Sequence, residues 1–167
     1  MAAALGLVAR PMIDEDMPFA EALYASTRAD ELAATGWPAE QQHAFLAQQH
    51  RAQHHHYRRY YEGADWLILE RDGQKVGRLY LVEWESELRI IDVSLVPSAR
   101  GRGLGSALLS DIQQRGADAG KRVTIHVEVH NPARRLYERL GFVTVEDKGV
   151  YLLMAWTPGE AEPTPPA

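Results

Sequence analysis

The sequence predicts a single α/β domain (α+β in schemes that weight its antiparallel part). Its central mixed, twisted sheet combines an antiparallel meander with one parallel strand pair, and helices lie on both faces. Three observations lead there. An apolar run from Ile90 to Val96 stops at Pro97, passes through a glycine-rich basic turn, and resumes at helical spacing as Leu104, Ala107, Leu108 and Ile112. Another apolar run, Val123 to Val129, follows that helix, so this strand, helix and strand should close as a right-handed crossover with parallel strands. Upstream, Trp66 to Glu70 and Val76 to Trp84 flank Arg71-Asp72-Gly73-Gln74, the pattern of an antiparallel hairpin.

Taken in order, Leu5 to Arg10 reads as a short first strand ended by Pro11. Asp14, Glu15 and Asp16 supply the acidic start of a helix that carries Phe19, Leu23 and Tyr24 on one face and reaches Ser26 or Ala29. Leu32 to Pro38 is a turn holding Gly36-Trp37-Pro38, and Glu40 to Tyr60 is a longer helix with Phe45 and Leu46 on its buried side. Within it, His54, His55 and His56 point in different directions and cannot chelate one ion as a set. His50 and His54 share a face but have no evident third ligand, so a solvated polar face is expected there and no metal site.

After the hairpin and a polar turn at Glu83 to Glu87, Glu87 to Val96 forms the third antiparallel strand. The helix beyond the glycine-rich turn closes near Gly116 to Gly120. Asn131 and Pro132 then supply an N-cap and a first-turn proline, Ala133, Leu136 and Leu140 an inner face, and Gly141 a terminator. Phe142 to Val145 and Val150 to Trp156 pair through Asp147-Lys148-Gly149. Residues 1–156 therefore read as one domain, and 157–167, rich in Pro and Glu, as a tail expected to be disordered.

Composition sets the outer limits. With 167 residues, 46% hydrophobic and 25% charged, the chain matches an ordinary globule able to bury a sizeable core. A net charge of −5 argues against a dedicated nucleic-acid binder. The absence of cysteine excludes disulfides, Cys-based zinc sites and a Cys nucleophile. The apolar start, Met1 to Val8, has no leading positive charge and is soon interrupted by Arg10 and Asp14 to Asp16, and no run approaches a membrane span. No membrane partner and a cytoplasmic location are expected.

The chemistry concentrates at Leu95 to Leu109. Gly101, Gly103 and Gly105 bare the backbone where amides must approach a ligand or adopt positive φ. The first N–H groups of the following helix have no intrahelical partner and lie at the positive end of its dipole, a setting for an anion and above all for phosphate. Arg100 and Arg102 add charge, and no carboxylate occurs between Asp92 and Asp111. The loop lacks the Lys-Ser/Thr pair of a P-loop and the Gly-x-Gly-x-x-Gly spacing of a dinucleotide site.

Arg100-Gly101-Arg102-Gly103-Leu104-Gly105 resembles the Gln/Arg-x-x-Gly-x-Gly/Ala loop of GNAT-type N-acetyltransferases. Asn131-Pro132-Ala133-Arg134-Arg135-Leu136-Tyr137-Glu138-Arg139-Leu140-Gly141-Phe142 is similar to the Asn-x-x-Ala-x-x-Leu-Tyr-Glu-x-x-Gly-Phe segment of the same family. Asn131 stands one position nearer Tyr137 than in some members. The two motifs occur in family order with a strand between them, and the resemblance covers Trp66 to Trp156, with the N-terminal helices alike only in kind.

The resemblance implies acetyl-CoA as cosubstrate, no metal, and a primary amine of a small molecule or peptide as acceptor. Its pyrophosphate would lie on Arg100, Gly101, Arg102, Gly103, Leu104, Gly105 and Ser106. The parallel strands would splay so that the pantetheine arm pairs with backbone near Leu95 and Val96, and Asn131, Arg134 and Tyr137 would complete the cofactor site. Transfer in this family is a direct attack of the amine on the thioester, with Tyr137 protonating the departing thiolate; a phenol with a pKa of ~10 suits that proton transfer.

A base must also take the amine's proton. His126 has the unperturbed pKa best suited to this, and Asp92 breaks an apolar run, so the two could form a pair across neighbouring strands. Each reads equally well as a structural residue, and Glu83 and Glu128 read as solvated strand positions. Tyr24, Arg28 and Trp37, on the first helices and their connection, are the acceptor-binding candidates. A non-catalytic acyl-CoA binding module, or a transferase of another acyl-CoA, would use the same loop. A homodimer would form through the final strands.

Overall fold

Among the described residues, seven strands pair into one sheet. They are β1 (Leu7–Pro11), β2 (Asp65–Arg71), β3 (Gln74–Glu83), β4 (Glu87–Leu95), β5 (Arg122–Glu128), β6 (Val143–Asp147) and β7 (Tyr151–Trp156), arranged in the order β1-β2-β3-β4-β5-β7-β6. Every neighbouring pair is antiparallel except β4 and β5, which run parallel as the crossover requires. The computed structural model describes residues 5–159, so the expected tail lies outside the described residues from residue 160 onward. No helix among the described residues is long and apolar enough to cross a membrane.

Strand alternation assigns the two faces. On one, Leu79 and Leu81 of β3, Leu88 and Ile90 of β4, and Val123, Ile125 and Val127 of β5 form a core with Leu108, Leu109 and Ile112 of α3 (Leu104–Ala119). Tyr137 of α4 (Arg134–Arg139) joins the same cluster. On the other face, Arg78 and Tyr80 of β3 and Asp92 of β4 meet α2 (Ala39–Tyr60), which packs beside α1 (Met17–Ala33).

The structure moves several expected boundaries. α1 continues past Ala29 to Ala33 because Leu32 finds a buried site. α3 closes within the expected stretch: Gly120, at φ 68°, is the terminator, and Gly116 lies inside the helix, where a Cβ would meet Val123 Cγ2 at 2.8 Å and the Lys121 carbonyl at 2.9 Å. α4 starts at Arg134, later than the expected cap. Asn131 Oδ1 instead accepts the Ala133 N–H at 2.9 Å and shapes the turn before the helix.

The entry to α1 is fixed electrostatically. Asp16 is 1% exposed and accepts Arg10 Nη1 and Nη2, each at 2.8 Å, the Ile13 N–H at 2.9 Å and Lys75 Nζ at 2.7 Å. Hydrogen bonding from Arg10, the largest influence, holds the Asp16 carboxyl well below the usual carboxylate range. A depressed carboxylate contributes stability that is fully present above its unfolded pKa of ~3.9 and is lost as pH falls. Asp16→Asn should therefore lower unfolding free energy by ~2–4 kcal/mol at neutral pH. In urea titrations the difference from wild type should narrow as pH falls through ~3.

Candidate active site

β4 and β5 are hydrogen-bonded only from Glu87–Arg122 to Ile90–Ile125. Past that point β4 stays with β3 and β5 stays with β7, so the inner edges part and face a gap. A bulge marks the place: Tyr80 of β3 faces Asp92 while Leu81 faces Ile90, leaving Ile91 as an extra residue on β4. Bulges bend a strand and increase its twist, which turns β4 away from its parallel partner. The Val96 N–H donates to the Val76 carbonyl at 2.8 Å, so ladder alternation directs the Leu95 N–H into the gap.

At the end of β4, Arg100 Nε donates to the Leu95 carbonyl at 3.0 Å. Gly101 and Gly103 take φ of 72° and 78°, and a Cβ on either would meet no other atom within 4 Å. Gly103 is the N-cap of α3; no side chain caps the helix and its first turn has no acidic residue. The N–H groups of Leu104, Gly105 and Ser106 are thus left for a ligand. Gly105 lies against Leu136 of α4, 3.6 Å from where its Cβ would be. Arg102 turns toward the β2–β3 hairpin, lining a cavity of about 400 Å³ with Arg71, Gln74 and Ser98.

Tyr137 approaches from α4. It is 6% exposed, stands edge-on to Phe142 at 5.9 Å, and its hydroxyl makes no hydrogen bond to a described residue. Burial first, and the charge of Asp92 second, push its phenol up to about 12, so it carries its proton at neutral pH. Nearby, Arg134 bonds Glu138 at 3.0 Å and the Val129 carbonyl at 3.3 Å.

Asp92 lies two residues past Ile90, the last position of β4 paired with β5. It accepts Arg78 Nη2 at 2.7 Å, Ser94 Oγ at 3.0 Å and the Tyr57 hydroxyl at 3.4 Å. Arg78 is 2% exposed and also reaches Gln53 Oε1 at 2.9 Å and His50 Nε2 at 3.2 Å. A guanidinium only donates, so His50 Nε2 accepts and the ring proton sits on Nδ1, which has no partner. Burial, then Arg78 and His54, hold His50 down to about 4. The solvated polar face expected for His50 and His54 is therefore corrected: His50 is 1% exposed because Arg78 draws it onto the sheet, and His54 is half-buried beside it.

His126 is the first residue of β5 past the paired segment. Its Nδ1 lies 3.4 Å from Arg89 Nη1 and its Nε2 3.2 Å from Lys148 Nζ. Arg89 is itself fixed by Thr124 Oγ1 at 2.7 Å, by Glu87 Oε2 at 3.3 Å, and by stacking over Trp84. Burial, then the charges of Arg89 and Lys148, lower the basicity of His126 and keep its ring neutral. No hydrogen bond joins Asp92 to His126. The expected pair does not form because the strands diverge between them and the bulge commits Asp92 to Arg78.

The acceptor candidates are dispersed. Tyr24 accepts Arg28 Nη1 at 2.7 Å and lies 5.6 Å from the His50 ring, so it touches Asp92 only through His50 and Arg78. Arg28 is also paired with Glu31 at 2.8 Å, and Trp37 packs edge-on against Phe45 at 5.4 Å. The residues that touch Asp92 or His126, directly or through one neighbour, and that sequence reasoning missed are Arg78, Arg89, Tyr57, Tyr61, Trp84 and Lys148. Tyr57, Tyr61 and Trp84 form an aromatic wall with centroids 6.1 Å and 6.0 Å apart. The two arginines each interrupt an apolar strand, the signal that singled out Asp92.

A model described as the acetyltransferase (GNAT) family matches residues 21–142. Mycothiol acetyltransferase from Corynebacterium glutamicum strain R is 36% identical over 95 residues, 55% of this chain and 32% of that protein. The enzyme of the same name from Streptomyces griseus is 34% identical over 92 residues, 52% of this chain and 30% of that protein. The matched stretch thus spans about a third of the length of these curated relatives. Among solved structures, the PaiA N-acetyltransferase from Thermoplasma acidophilum in complex with coenzyme A superposes with a TM-score of 0.68 at 14% identity, covering 90% of this chain and 98% of that one. An acetyltransferase from Thermus thermophilus gives 0.67 at 19% identity, covering 92% and 97%.

Removing Arg78 would leave the Asp92 carboxylate without its cation in a largely buried place. Arg78→Ala should cost about 3–5 kcal/mol of stability in urea unfolding, and Arg78→Lys should recover part of it.

Proposed function

The chain belongs to the acetyltransferase (GNAT) family, and from that premise we propose that it transfers the acetyl group of acetyl-CoA directly to a primary amine of a small molecule or peptide. The observation that carries this reading is the gap between β4 and β5, which begins at Ile90–Ile125 and adjoins the uncapped start of α3. The relatives' names support acetyl transfer. Their own acceptor is not carried over, because the match takes in only 32% of the first of them.

The residues present fit the cosubstrate. Gly101 and Gly103 leave open space beside free helix N–H groups, with Arg100 and Arg102 alongside, a setting suited to a pyrophosphate. The Leu95 N–H suits a pantetheine carbonyl; the neighbouring Val96 N–H is engaged by Val76, so backbone pairing falls chiefly to Leu95. Leu136 of α4 lies against Gly105, and Asn131 and Arg134, our further candidates for the cofactor site, belong to the turn and first residue of that same helix.

When bound, acetyl-CoA supplies an activated thioester carbonyl. Tyr137, protonated at neutral pH, holds the proton that the departing sulfur needs once the amine nitrogen has bonded to the acetyl carbon and the carbon–sulfur bond breaks. His126, neutral beside the gap, is our candidate to take the amine's proton directly or through water, and Asp92, already receiving Arg78, Ser94 and Tyr57, orders the opposite wall. We extend the reading to a homodimer through edge strand β6, where Val143 is 56% and Val145 is 48% exposed.

An acetyl-CoA consumption screen against diverse amines tests the activity. Tyr137→Phe should lower kcat by ~10²-fold or more while leaving the KM for acetyl-CoA nearly unchanged. A variant that stays bound to CoA and loses no function would favour a binding module instead. Arg100→Ala with Arg102→Ala should weaken CoA binding, and the deficit should shrink as salt is raised. Unchanged affinity would remove the phosphate argument.

A further inference from the structure

The imidazole of His126 has one lone pair and one N–H when neutral, yet both of its nitrogens face groups that only donate. Arg89 Nη1 stands 3.4 Å from Nδ1, and Lys148 Nζ stands 3.2 Å from Nε2. One of the two contacts must set a donor against a donor. Arg89 is anchored by Thr124, Glu87 and Trp84, whereas Lys148 sits exposed on the turn between β6 and β7. That turn is itself well defined, with the Lys148 N–H on the Tyr151 carbonyl and the Gly149 N–H on Asp147 Oδ1, both at 2.8 Å.

Among the described residues, no carboxylate lies within salt-bridge range of Lys148, and its side-chain contact is His126. Arg89 is paired by Glu87. The charged groups bearing on His126 are thus Arg89, Lys148, Glu146 and Glu87, and Lys148 is the cation without a direct partner. An ammonium with spare donors, at the mouth of a gap where an amine must be brought, is a ready contact for an anion on that amine.

We propose that Lys148 reads a carboxylate carried by the acceptor amine, and that by engaging it Lys148 is drawn off His126 Nε2, whose N–H, with Arg89 on the Nδ1 lone pair, then no longer faces an opposed donor. This rests on the acetyl-transfer reading and names its acceptor class: an amine that carries a carboxylate a few bonds away. The carboxylate takes the donors of Lys148, the conflict at His126 is relieved, and a neutral amine lacking such a group leaves Lys148 against the ring.

Product-like probes test this without turnover. With the full chain and CoA, N-acetylglycine and N-acetylglycinamide are titrated while the His126 ring nitrogens are followed by NMR. The acid should bind about tenfold more tightly than the amide or better, and should shift the Nε2 resonance. Lys148→Ala should abolish the difference, and Lys148→Arg should retain it. Equal binding or no binding of the two probes by wild type, or a preference that survives in Lys148→Ala, would overturn the proposal. Failure of the chain to bind CoA or to consume acetyl-CoA with any amine would strike the acetyl-transfer reading instead, a result the probe titration does not touch.

Discussion

The early end of the β4–β5 ladder governs the rest of the molecule. Backbone N–H and C=O groups demand partners, and a parallel pair that stops at Ile90–Ile125 leaves two strand edges without them. The sheet tolerates this because each strand keeps its outer neighbour, β3 for β4 and β7 for β5. The extra residue at Ile91 supplies the bend. What results is a slot with backbone hydrogen-bonding capacity along one wall and helix N–H groups at one end, which suits a long ligand rich in amides and phosphate.

Charge is arranged around the narrow end of that slot with few groups left unmatched. Arg78 and Arg89 are 2% and 8% exposed, and each is placed against a carboxylate, Asp92 and Glu87 respectively. Burying such cations is tolerable only with those partners. Burial first, and then the positive field of Arg78 at His50 and of Arg89 at His126, disfavour a positive charge on the histidines that these arginines touch. Neutral imidazole at His126 thus follows from burial and from the cations beside it, and Tyr57, whose phenol burial and Asp92 push up, stays protonated nearby.

The strand order of the meander, the crossover and the glycine-rich turn were legible because each rests on local pattern: alternation, a Gly-bearing hairpin turn, and glycines where φ is positive. Positions such as Gly103 announce themselves, since the conformation excludes most side chains. Tyr137 was legible only through its motif; its 6% exposure is deeper than its spacing on α4 suggests, because α4 packs against the start of α3. The Asp92–His126 pair was misjudged because simple alternation cannot register a bulge, and one extra residue redirects everything beyond it. His50 was misread because helix periodicity reports that it shares a face with His54, not that Arg78 waits beneath.

The two ends of the slot differ in how a sequence can encode them. Recognition at the α3 end uses main-chain groups, so it needs only small residues and a helix start, and it can persist while most side chains change. The solved structures share the fold, with TM-scores of 0.68 and 0.67 at identities of 14% and 19%. The acceptor end as proposed would draw on a contact network of Tyr57 from α2, Arg78 from β3, Arg89 and Asp92 from β4, His126 from β5 and Lys148 from the last turn. No short window of sequence contains that set, and replacing any one member alters the balance of donors and charges for the others. A site assembled in this way from five separate segments is specified by the fold as a whole, so membership of the family does not by itself name the amine.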